Sequence, residues 1–555
     1  MTASLDDGPA IRARSLGGVD RITAVVHQPL RYWAAQRPTA PFVKCRGDWV
    51  TYAELDARSD RVAAGLAAAG VRPGDRVAVV LDNCDEFVDT VFACSKLGAT
   101  QVPLNTYLSG EFLRYQLTDC GATTLIADRG GIAAYQQISD QTIVERVVSV
   151  GCRVVGAVPF DELRACTGPL PDTVVTAEDI GAIVYTSGTT GMPKGCMLSH
   201  GYLTLVPSAY LEAHWVIPGD RICTPFPLFH LSGQTIVMQT ALQLGISVFV
   251  TPSFSASTFM CSARDEGATM LFGIGAMAMA ILAQPVTTSE PRGFRLATWI
   301  PMTPEAQLEF ERRFDTPTIC EGYGQTECAP AMINHISGDR RRQTSGKPVP
   351  YLDIAVVDDH DWPVPTGRVG EIVIRPRRPE AMYSGYWGNP VATTRASRNL
   401  WHHTGDYAYA DEDGFITFTD RKKDALRRRG ENVSSLELEK AILDHPRVAA
   451  CAVHAVASRL SEDDIKACIV PAGEEILTVE ELFDHFVSAL PYFAVPAYVE
   501  FLDALPTNAL GRVMKHELRA RGITPETIDL ADRGLVVRRD QRRGDLAARS
   551  NADHV

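Results

Sequence analysis

The sequence lacks an excess of positive charge, a long apolar run and a paired cysteine motif. Its 54 Lys and Arg residues stand against 67 Asp and Glu residues, which gives a formal net charge of −13. No global field therefore attracts the chain to nucleic acid or to an anionic membrane. Gln, Thr, Gly or Pro interrupts the apolar stretches before they reach about 18 residues, so we expect no membrane span.

Two further absences concern the cell compartment. The first 22 residues mix charges with small side chains and lack the apolar core of a signal peptide. The thirteen cysteines form no CxxC pair and no Cys/His cluster, which is typical of reduced thiols rather than of disulfides or zinc sites. We therefore expect a cytoplasmic protein without disulfides or a structural metal.

The chain has the composition of a globular protein with an alternating pattern of elements. Of its 555 residues, 45% are hydrophobic and 22% are charged, which excludes a disordered or fibrous chain and allows two or more domains. The pattern predicts helices over 54–69 and 86–97 and strands over 76–81 and 99–103, and it resumes at 182. Such alternation indicates an α/β fold with doubly wound sheets covered by helices.

A β-rich stretch follows, with strands predicted over 353–357, 371–374 and 415–418. The Pro- and Gly-containing turns between them indicate a small sheet or a distorted β-barrel. Beyond the basic segment that starts at 421, short helices and strands alternate as in a small α+β domain.

These patterns divide the chain into three parts. We predict a large N-terminal domain over 1–420 and a small C-terminal domain over 421–523. Residues 524–555 are rich in Arg and Asp and poor in large apolar side chains, so a disordered tail is expected there.

A turn rich in glycine and hydroxyl groups follows the strand predicted over 182–185. It reads Tyr185-Thr-Ser-Gly-Thr-Thr-Gly-Met-Pro-Lys-Gly195. Glycines let backbone N–H groups approach a polyphosphate, hydroxyls add donors, and Lys194 adds a point charge. It is not a Walker loop, since Gly195 stands where GxxxxGK[ST] requires Ser or Thr. A phosphate-binding loop is favoured over the alternative, a flexible surface loop.

This loop resembles the signature loop of the adenylate-forming superfamily, which contains acyl-CoA synthetases, peptide-synthetase adenylation domains and luciferases. Four further segments resemble motifs of that family and follow in order: Tyr323-Gly-Gln-Thr-Glu327, Thr404-Gly-Asp406, Asp420-Arg-Lys-Lys-Asp424 and Gly430-Glu-Asn-Val-Ser434. Five ordered motifs are far more specific than one. They carry the resemblance over about residues 40–520.

Among subfamilies, the chain most resembles the acyl-CoA ligases around crotonobetaine/carnitine-CoA ligase. The likeness rests on Pro227-Leu-Phe-His-Leu-Ser-Gly-Gln234 and on the run RRGENVS at 428–434. It also rests on the absence of the usual Gly-Gly-Ala-Pro before Phe310.

The resemblance implies a two-step reaction. A carboxylate attacks the α-phosphate of ATP, which gives an acyl-adenylate and pyrophosphate, and the CoA thiol then displaces AMP. Mg²⁺ and cationic donors must neutralise the charge that gathers in the first step. The implied partners are a small-molecule carboxylic acid, ATP and CoA, and a homodimer is allowed.

The family pattern also implies a nucleotide site. The phosphates would be bound by Thr186, Ser187, Gly188, Thr189, Thr190, Gly191 and Lys194, the adenine by Glu321, Gly322 and Tyr323, and the α-phosphate and ribose by Thr326, Asp406 and Arg421. Glu327 is the carboxylate that the resemblance assigns to Mg²⁺. Alone, the Thr326-Glu327 pair is also compatible with a helix cap, and the motifs of Asp406 and Arg421 are compatible with a turn and a solvated charge run.

For the acyl group, the resemblance places His230 between the acyl pocket and the tunnel of the thiol. A lone His at a strand end is otherwise usually structural. The remaining candidates for the pocket are Gln234, Phe272, Gly273, Gly275, Met277, Trp299 and Gly324. Periodicity alone assigns the Met and Phe residues to the core, and the apolar stretch 272–282 is compatible with aromatic or aliphatic acids.

The small domain of this family is mobile and rotates between the two half-reactions, and the resemblance makes Lys423 its hinge. Gly430, Glu431 and Asn432 would then meet the pantetheine path of CoA. Arg429 stands where the family usually has the first glycine of GGEN, which puts a close backbone approach there in doubt.

A second departure concerns the catalytic lysine of the adenylation step. In Leu505-Pro-Thr-Asn-Ala-Leu-Gly-Arg-Val-Met-Lys515, the family's lysine position is occupied by Arg512. Arginine can clamp a carboxylate or a phosphate, but the two side chains are not interchangeable. Lys515 is the alternative if the local strand bends.

Two other functions stay open from the sequence. The activated acyl group could pass to a carrier protein or an amine, or the enzyme could activate nitrite as ATP-dependent diazotases do. Arg429 and Arg512 also allow a relative that binds its ligands without catalysis.

Overall fold

Two seven-stranded sheets form the large unit of the protein. The computed structural model describes residues 24–186, 192–287, 290–358, 360–421, 425–428, 431–458, 463–473, 477–506, 513 and 515–537. In spatial order, the strands of the first sheet are Val158–Pro159, Arg146–Val150, Thr124–Asp128, Arg76–Val80, Thr100–Pro103, Ile180–Thr186 and Lys194–Ser199. Neighbouring strands are parallel except for the last, which runs antiparallel at the sheet edge.

The second sheet has the same build. Its strands, in spatial order, are Thr318–Ile319, Leu296–Trp299, Met270–Gly273, Arg221–Thr224, Ser247–Val250, Pro41–Lys44 and Val50–Thr51. The last strand is antiparallel to its neighbour and the others are parallel. A large buried apolar cluster contains residues of both sheets, and two further clusters are built around single sheets.

Helices connect and cover these strands, as the alternating pattern predicts. The helix expected over 54–69 is Tyr52–Ala68, because Thr51 forms a capping box with Glu54 and fixes an earlier start. The α-helices of the large unit are Gln28–Gln36, Tyr52–Ala68, Asp85–Leu97, Gly110–Cys120, Arg129–Gln136, Phe160–Arg164, His200–Glu212, Thr240–Leu244, Phe259–Asp265, Gly275–Leu282, Pro304–Phe314 and Pro390–Ala396. A π-helix spans Ser232–Gln239, and short 3₁₀ turns span Ser139–Gln141 and Arg398–Leu400.

Two smaller antiparallel sheets complete the large unit. One consists of Gly322–Gln325, Cys328–Ile333 and Lys347–Pro348, and the other of Leu352–Val357, Gly370–Pro376, His402–Ala410 and Ile416–Arg421. A bridge between Gly346 and Ile416 links the two. This arrangement agrees with the expected distorted barrel, and the predicted α/β fold class is confirmed.

The small unit, residues 425–537, has its own buried core. It contains a hairpin of Ala425–Arg428 and Glu431–Ser434, a sheet of Val448–Ala457, Asp463–Pro471, Tyr498–Phe501 and Ile528–Asp529, and helices Ser435–Leu443, Val479–Ala489 and Lys515–Arg521. Leu426 and Val433 of the hairpin pack into this core. Aromatic side chains join it to the large unit: Tyr107 and Phe112 pack against its core, and the rings of Tyr107 and Tyr492 lie 4.3 Å apart.

The structure differs from the predicted tail in one respect. Ile528–Asp529 pairs with Tyr498–Phe501, and Leu530 is buried. The folded part of the small unit therefore extends past 524, because a short edge strand and one apolar side chain complete the sheet. Residues 538–555 lie outside the described part. None of the helices described combines the length and apolar character needed to cross a bilayer.

Candidate active site

Lys194 begins the edge strand of the first sheet, Lys194–Ser199. It is paired in register with Thr186, the last residue of the neighbouring strand. The two residues therefore flank the turn that the sequence predicts to bind phosphate. The predicted phosphate ligands Ser187, Gly188, Thr189, Thr190 and Gly191 lie outside the described residues.

Glu327 lies in a tight β-turn, not at the start of a helix. Gln325 and Cys328 pair across the hairpin of Gly322–Gln325 and Cys328–Ile333, so that the turn consists of Thr326 and Glu327. The Tyr202 hydroxyl donates to the Thr326 carbonyl at 3.0 Å. The structure therefore rules out the helix-cap alternative and places both predicted residues in a turn that Tyr202 fixes by a hydrogen bond.

The Glu327 carboxylate is buried and contacts Tyr386. The Tyr386 hydroxyl donates to Glu327 Oε1 at 2.9 Å, and Lys194 Nζ lies 4.9 Å from the centre of the same ring. Burial raises the pKa of Tyr386 far above its usual value, and the Glu327 charge raises it further, so the hydroxyl stays a proton donor. Two predicted residues from different sheets thus meet at a tyrosine that the sequence did not indicate.

Asp406 is held by the same hairpin. Its Oδ2 accepts from the Tyr323 hydroxyl at 2.7 Å and from Gln325 Nε2 at 2.8 Å. The Tyr323 ring stacks on that of Phe418 with their centroids 6.2 Å apart, and Phe418 is 40% exposed. Arg421 lies opposite Asp406 in the register of strands His402–Ala410 and Ile416–Arg421, although the Arg421 side chain is outside the described part. The two predicted ribose residues are therefore neighbours on one sheet.

Glu321, which the sequence predicts beside the adenine, uses its side chain elsewhere. Its carboxylate is 2% exposed and pairs with Arg340 at 3.0 Å, while Gln307 Nε2 lies 3.4 Å away. A carboxylate engaged in this way cannot face a base, so the contribution of Glu321 to an adenine site would come from its backbone. Gly322 and exposed Gly324 lie on the hairpin strand that follows.

His230 is half-buried at the end of the loop that follows strand Arg221–Thr224. Its Nδ1 accepts from the Ser232 backbone N–H at 3.2 Å and lies 2.9 Å from the Ser232 hydroxyl. A neutral ring with an accepting Nδ1 carries its proton on Nε2. Asn83 supports this loop from the first sheet, because its Oδ1 accepts from the Leu228 N–H at 2.7 Å and its Nδ2 donates to the Phe226 carbonyl at 3.0 Å.

Gln234 differs from its prediction as a pocket residue. Its Oε1 accepts from Gln101 Nε2 at 2.6 Å, and its Nε2 donates to the Leu228 carbonyl at 2.5 Å. Both ends of this buried amide are thus used within the protein. The side chain supports the loop of His230 instead of offering hydrogen bonds to an acyl group.

The predicted aromatic residues of the pocket lie on opposite faces of the second sheet. Phe272 packs in the cluster shared by both sheets, edge-on to Tyr210 at 6.3 Å. Trp299 is fully buried in another cluster, against Phe259 and Phe310. Trp299 is the register partner of Gly273, the neighbour of Phe272, and alternate residues of a strand point to opposite faces. Trp299 therefore lies on the other face of the sheet from Phe272 instead of lining a pocket with it.

Two glycines and a methionine from the same prediction also lie in closely packed surroundings. A Cβ on Gly273 would collide with the Trp299 indole, and one on Gly275 would collide with the Pro301 carbonyl. Met277 packs against the cluster that contains Trp299. Dense packing, more than ligand contact, therefore accounts for these small residues.

The site residues predicted in the small unit are only partly described. Lys423, Gly430 and Arg512 lie outside the described residues, as do the side chains of Glu431 and Asn432. Lys515 is engaged within the small unit, where its Nζ lies 2.6 Å from Glu439 Oε1 and 2.8 Å from Ser435 Oγ. The alternative in which Lys515 replaces the family lysine would require these contacts to break.

Comparison with known proteins identifies related families along the chain. Residues 30–387 match the family described as AMP-binding enzyme, and residues 437–512 match the AMP-binding enzyme C-terminal domain. A feruloyl-CoA synthase of an Amycolatopsis species is 34% identical over 504 residues, which cover 89% of this chain and 99% of that protein. A crotonobetaine/carnitine–CoA ligase of Salmonella typhi is 31% identical over 498 residues, which cover 86% and 95%.

A solved structure has the same fold. It is a double mutant of o-succinylbenzoate CoA synthetase from Bacillus subtilis, bound with a product analogue, with a TM-score of 0.78 at 26% identity. The match covers 90% of this chain and 99% of that one. The two curated relatives are thus a CoA synthase and a CoA ligase, and the chain belongs to the AMP-binding enzyme family.

Proposed function

We propose that this chain joins a carboxylic acid to CoA through an acyl-adenylate. The observation that carries the proposal is the meeting of Lys194 and Glu327, which come from different sheets, at the Tyr386 ring. A cation and a carboxylate that contact the same residue without pairing suit the phosphates of ATP and the metal ion that accompanies them.

The large unit supplies most of the groups for the first step. Lys194 neutralises phosphate charge from the edge of the first sheet, and Thr326 reaches the α-phosphate from the hairpin turn. Asp406, fixed by two hydrogen bonds from Tyr323 and Gln325, accepts the ribose hydroxyls. The stacked rings of Tyr323 and Phe418 offer a face to the adenine.

Glu327 fits a magnesium ion bound together with a nucleotide. Mg²⁺ prefers carboxylate oxygens and keeps several of its waters. The Tyr386 hydroxyl uses one position on Oε1 and the Cys196 thiol bonds the same carboxylate, while a carboxylate has about four acceptor positions. When bound, the ion would spread the charge of the phosphates during attack.

The small unit and the loop of His230 serve the second step in this proposal. Gly430, Glu431 and Asn432 would meet the path of pantetheine, and His230, with its proton on Nε2, would stand between the acyl group and the thiol. Arg512 clamps the acid and the α-phosphate in the first step. Rotation about Lys423 exchanges the two arrangements.

The acid is best sought among aromatic and short-chain carboxylates. The two relatives are named for feruloyl and for crotonobetaine or carnitine. Tyr210 and Phe272 form an aromatic cluster with Trp215 on the inner face of the second sheet. A panel of acids should therefore include ferulate, benzoate and crotonobetaine.

The test is a half-reaction assay on the full chain. Pyrophosphate release is measured with each acid, ATP and Mg²⁺, and AMP and acyl thioester are then measured with and without CoA. We expect acid-dependent pyrophosphate release without CoA and thioester only with CoA. AMP release with an amine or a carrier protein in place of CoA, or with nitrite in place of the acid, would replace the proposal by one of those activities. An absence of pyrophosphate exchange with every acid would indicate a binding protein.

Two further statements belong to the proposal. The thirteen cysteines are free thiols, and ATP and CoA are both available in the cytoplasm, which supports a cytoplasmic location. A homodimer stays a prediction that sedimentation of the purified chain would test.

A further inference from the structure

We propose that Tyr386 is a positioning residue that keeps Lys194 and Glu327 apart and orients both toward the nucleotide. This inference rests on the proposed function of the same site. Its hydroxyl donates to Glu327 at 2.9 Å, and its ring lies 4.9 Å from the Lys194 ammonium. A distance below about 6 Å to the ring centre is within the range of a cation–π contact.

Without Tyr386 between them, these opposite charges would tend to form a direct ion pair. Such a pair would occupy Lys194 with a carboxylate instead of a phosphate, and Glu327 with an ammonium instead of a metal ion. In the described part of the chain, the two side chains meet through Tyr386. The ring attracts the cation without cancelling its charge, and the hydroxyl fixes one carboxylate oxygen.

The backbone around Tyr386 is anchored to the elements that carry both partners. On one side, the Tyr383 N–H donates to the Glu327 carbonyl at 2.9 Å. On the other, the Ser384 N–H donates to the Met197 carbonyl and the Trp387 N–H to the Gly195 carbonyl, both at 2.8 Å. The segment 383–387 thus ties the hairpin of Glu327 to the edge strand of Lys194.

Further contacts hold the backbone of Tyr386 and its neighbour Trp387 in place. Its own N–H donates to the Thr393 hydroxyl at 2.9 Å, and its side chain is buried. Trp387 is held by a hydrogen bond from its indole to the Asp119 carbonyl at 3.1 Å and by Arg76 over its ring. A buried ring on an anchored segment has the rigidity that a positioning residue requires.

Two substitutions separate the roles of the hydroxyl and the ring. Tyr386→Phe keeps the ring and removes the donor to Glu327, whereas Tyr386→Leu removes both. Tyr135→Phe is the matched control, because this buried tyrosine of helix Arg129–Gln136 bonds the Val144 carbonyl at 3.4 Å. Pyrophosphate release is measured against Mg²⁺ and against ATP, and the affinity for ATP is measured by calorimetry with Mg²⁺ and with EDTA.

We expect Tyr386→Phe to raise the Mg²⁺ concentration for half-maximal rate about 10-fold, with little change in the KM for ATP. The gain in ATP affinity on adding Mg²⁺ should shrink by a similar factor, which is a readout independent of turnover. Tyr386→Leu should in addition raise the KM for ATP, since Lys194 loses its ring. The control should match the wild type in both measurements.

Two results would overturn the inference. One is a Tyr386→Phe protein with wild-type Mg²⁺ dependence in both rate and binding. The other is an equal loss of kcat in both variants with unchanged dependence on Mg²⁺ and ATP, which would indicate packing alone. If the leucine variant does not fold, the phenylalanine variant still decides. If the wild type forms no acyl-adenylate with any acid, the proposed function fails, while ATP binding with and without Mg²⁺ still tests Tyr386.

Discussion

Glu327 can be changed in charge with almost no change in shape. Glu327→Gln keeps a carbonyl oxygen for the Tyr386 hydroxyl but has no negative charge to offset that of a metal ion. We expect adenylation, measured as pyrophosphate release, to fall about 10²-fold or more, as is typical when a charge-stabilising group is lost. Lys194→Ala should cause a comparable loss from the opposite charge. The thermal midpoint of either variant should stay near that of the wild type, and full activity in either would remove that residue from the site.

Asp406 offers a test that uses the substrate as well as the protein. If its carboxylate accepts the ribose hydroxyls, the wild type should prefer ATP to 2′-deoxy-ATP. Asp406→Asn should impair the use of ATP more than that of 2′-deoxy-ATP, because only ATP has the 2′-hydroxyl that the carboxylate would accept. The preference for ATP over 2′-deoxy-ATP should therefore become smaller. The ratio of kcat/KM for the two nucleotides measures this. An unchanged ratio would assign Asp406 to support of Tyr323 and Gln325 alone.

Whether Arg512 or Lys515 serves the first half-reaction can be decided by comparing their variants. We expect Arg512→Ala and Arg512→Lys to slow adenylation, because a bidentate donor tolerates displacement poorly. Transfer from a supplied acyl-adenylate to CoA should survive in both variants. Lys515→Ala should instead destabilise the small unit, since it leaves Glu439 without its ion-pair partner. A reversal of this ranking in the adenylation rates would transfer the role to Lys515.

Sequence motifs identified the site residues that lie in short, characteristic segments. Lys194, Glu327 and Asp406 all lie in such segments. Tyr386 was missed because its importance depends on contacts with two distant segments. Trp299 was misplaced for a related reason, since a short apolar run does not reveal which face of the sheet each side chain occupies.

At the scale of elements, the loop that carries His230 is held from below by a buried amide. Asn83 bonds the Leu228 N–H and the Phe226 and Thr251 carbonyls. Asn83→Leu would leave these groups buried without partners, at a cost of about 1–3 kcal/mol for each unsatisfied group. We therefore expect a lower free energy of unfolding in urea. We also expect the substitution to slow thioester formation more than adenylation, because the loop that carries His230 loses its support.

The two half-reactions of Asn83→Leu should be measured separately, with the unfolding curve as the reference. An unchanged denaturation midpoint would mean that the loop is held by Gln234 alone. Equal losses in both half-reactions would argue that the loop serves the whole large unit and not the thiol step.

Element types were easier to predict than their ends. Alternating helices and strands were expected, and both large sheets follow that order. The helix expected over 54–69 begins at Tyr52 because of the cap at Thr51, a local bond that composition does not reveal. The apolar stretch after His230 becomes a π-helix, Ser232–Gln239, before an α-helix, and its wider turns depend on how Gln234 and its neighbours pack.

At the scale of the whole molecule, the ring contact between Tyr107 and Tyr492 belongs to one arrangement of the two units. Tyr492→Ala should weaken that arrangement and so change the rates of the two half-reactions in different proportions. Lys423→Pro should have an unequal effect for another reason, because proline fixes φ near about −65° at the predicted hinge. Adenylation and thioester formation, each measured alone, provide the test. Equal changes in both would argue against alternation between two arrangements.

The distribution of buried cysteines allows alkylation to show which unit of the protein has unfolded. Ten of the thirteen cysteines are buried, and the three partly exposed ones, Cys152, Cys166 and Cys261, all lie in the large unit. Burial raises the pKa of Cys94 to about 12 and that of Cys468 to about 11, and only the thiolate reacts readily with alkylating reagents. Mass spectrometry after a short pulse of such a reagent should therefore find at most three labels on the native chain. In mild denaturant, labels at Cys451 and Cys468 would then report opening of the small unit, before or after the large one.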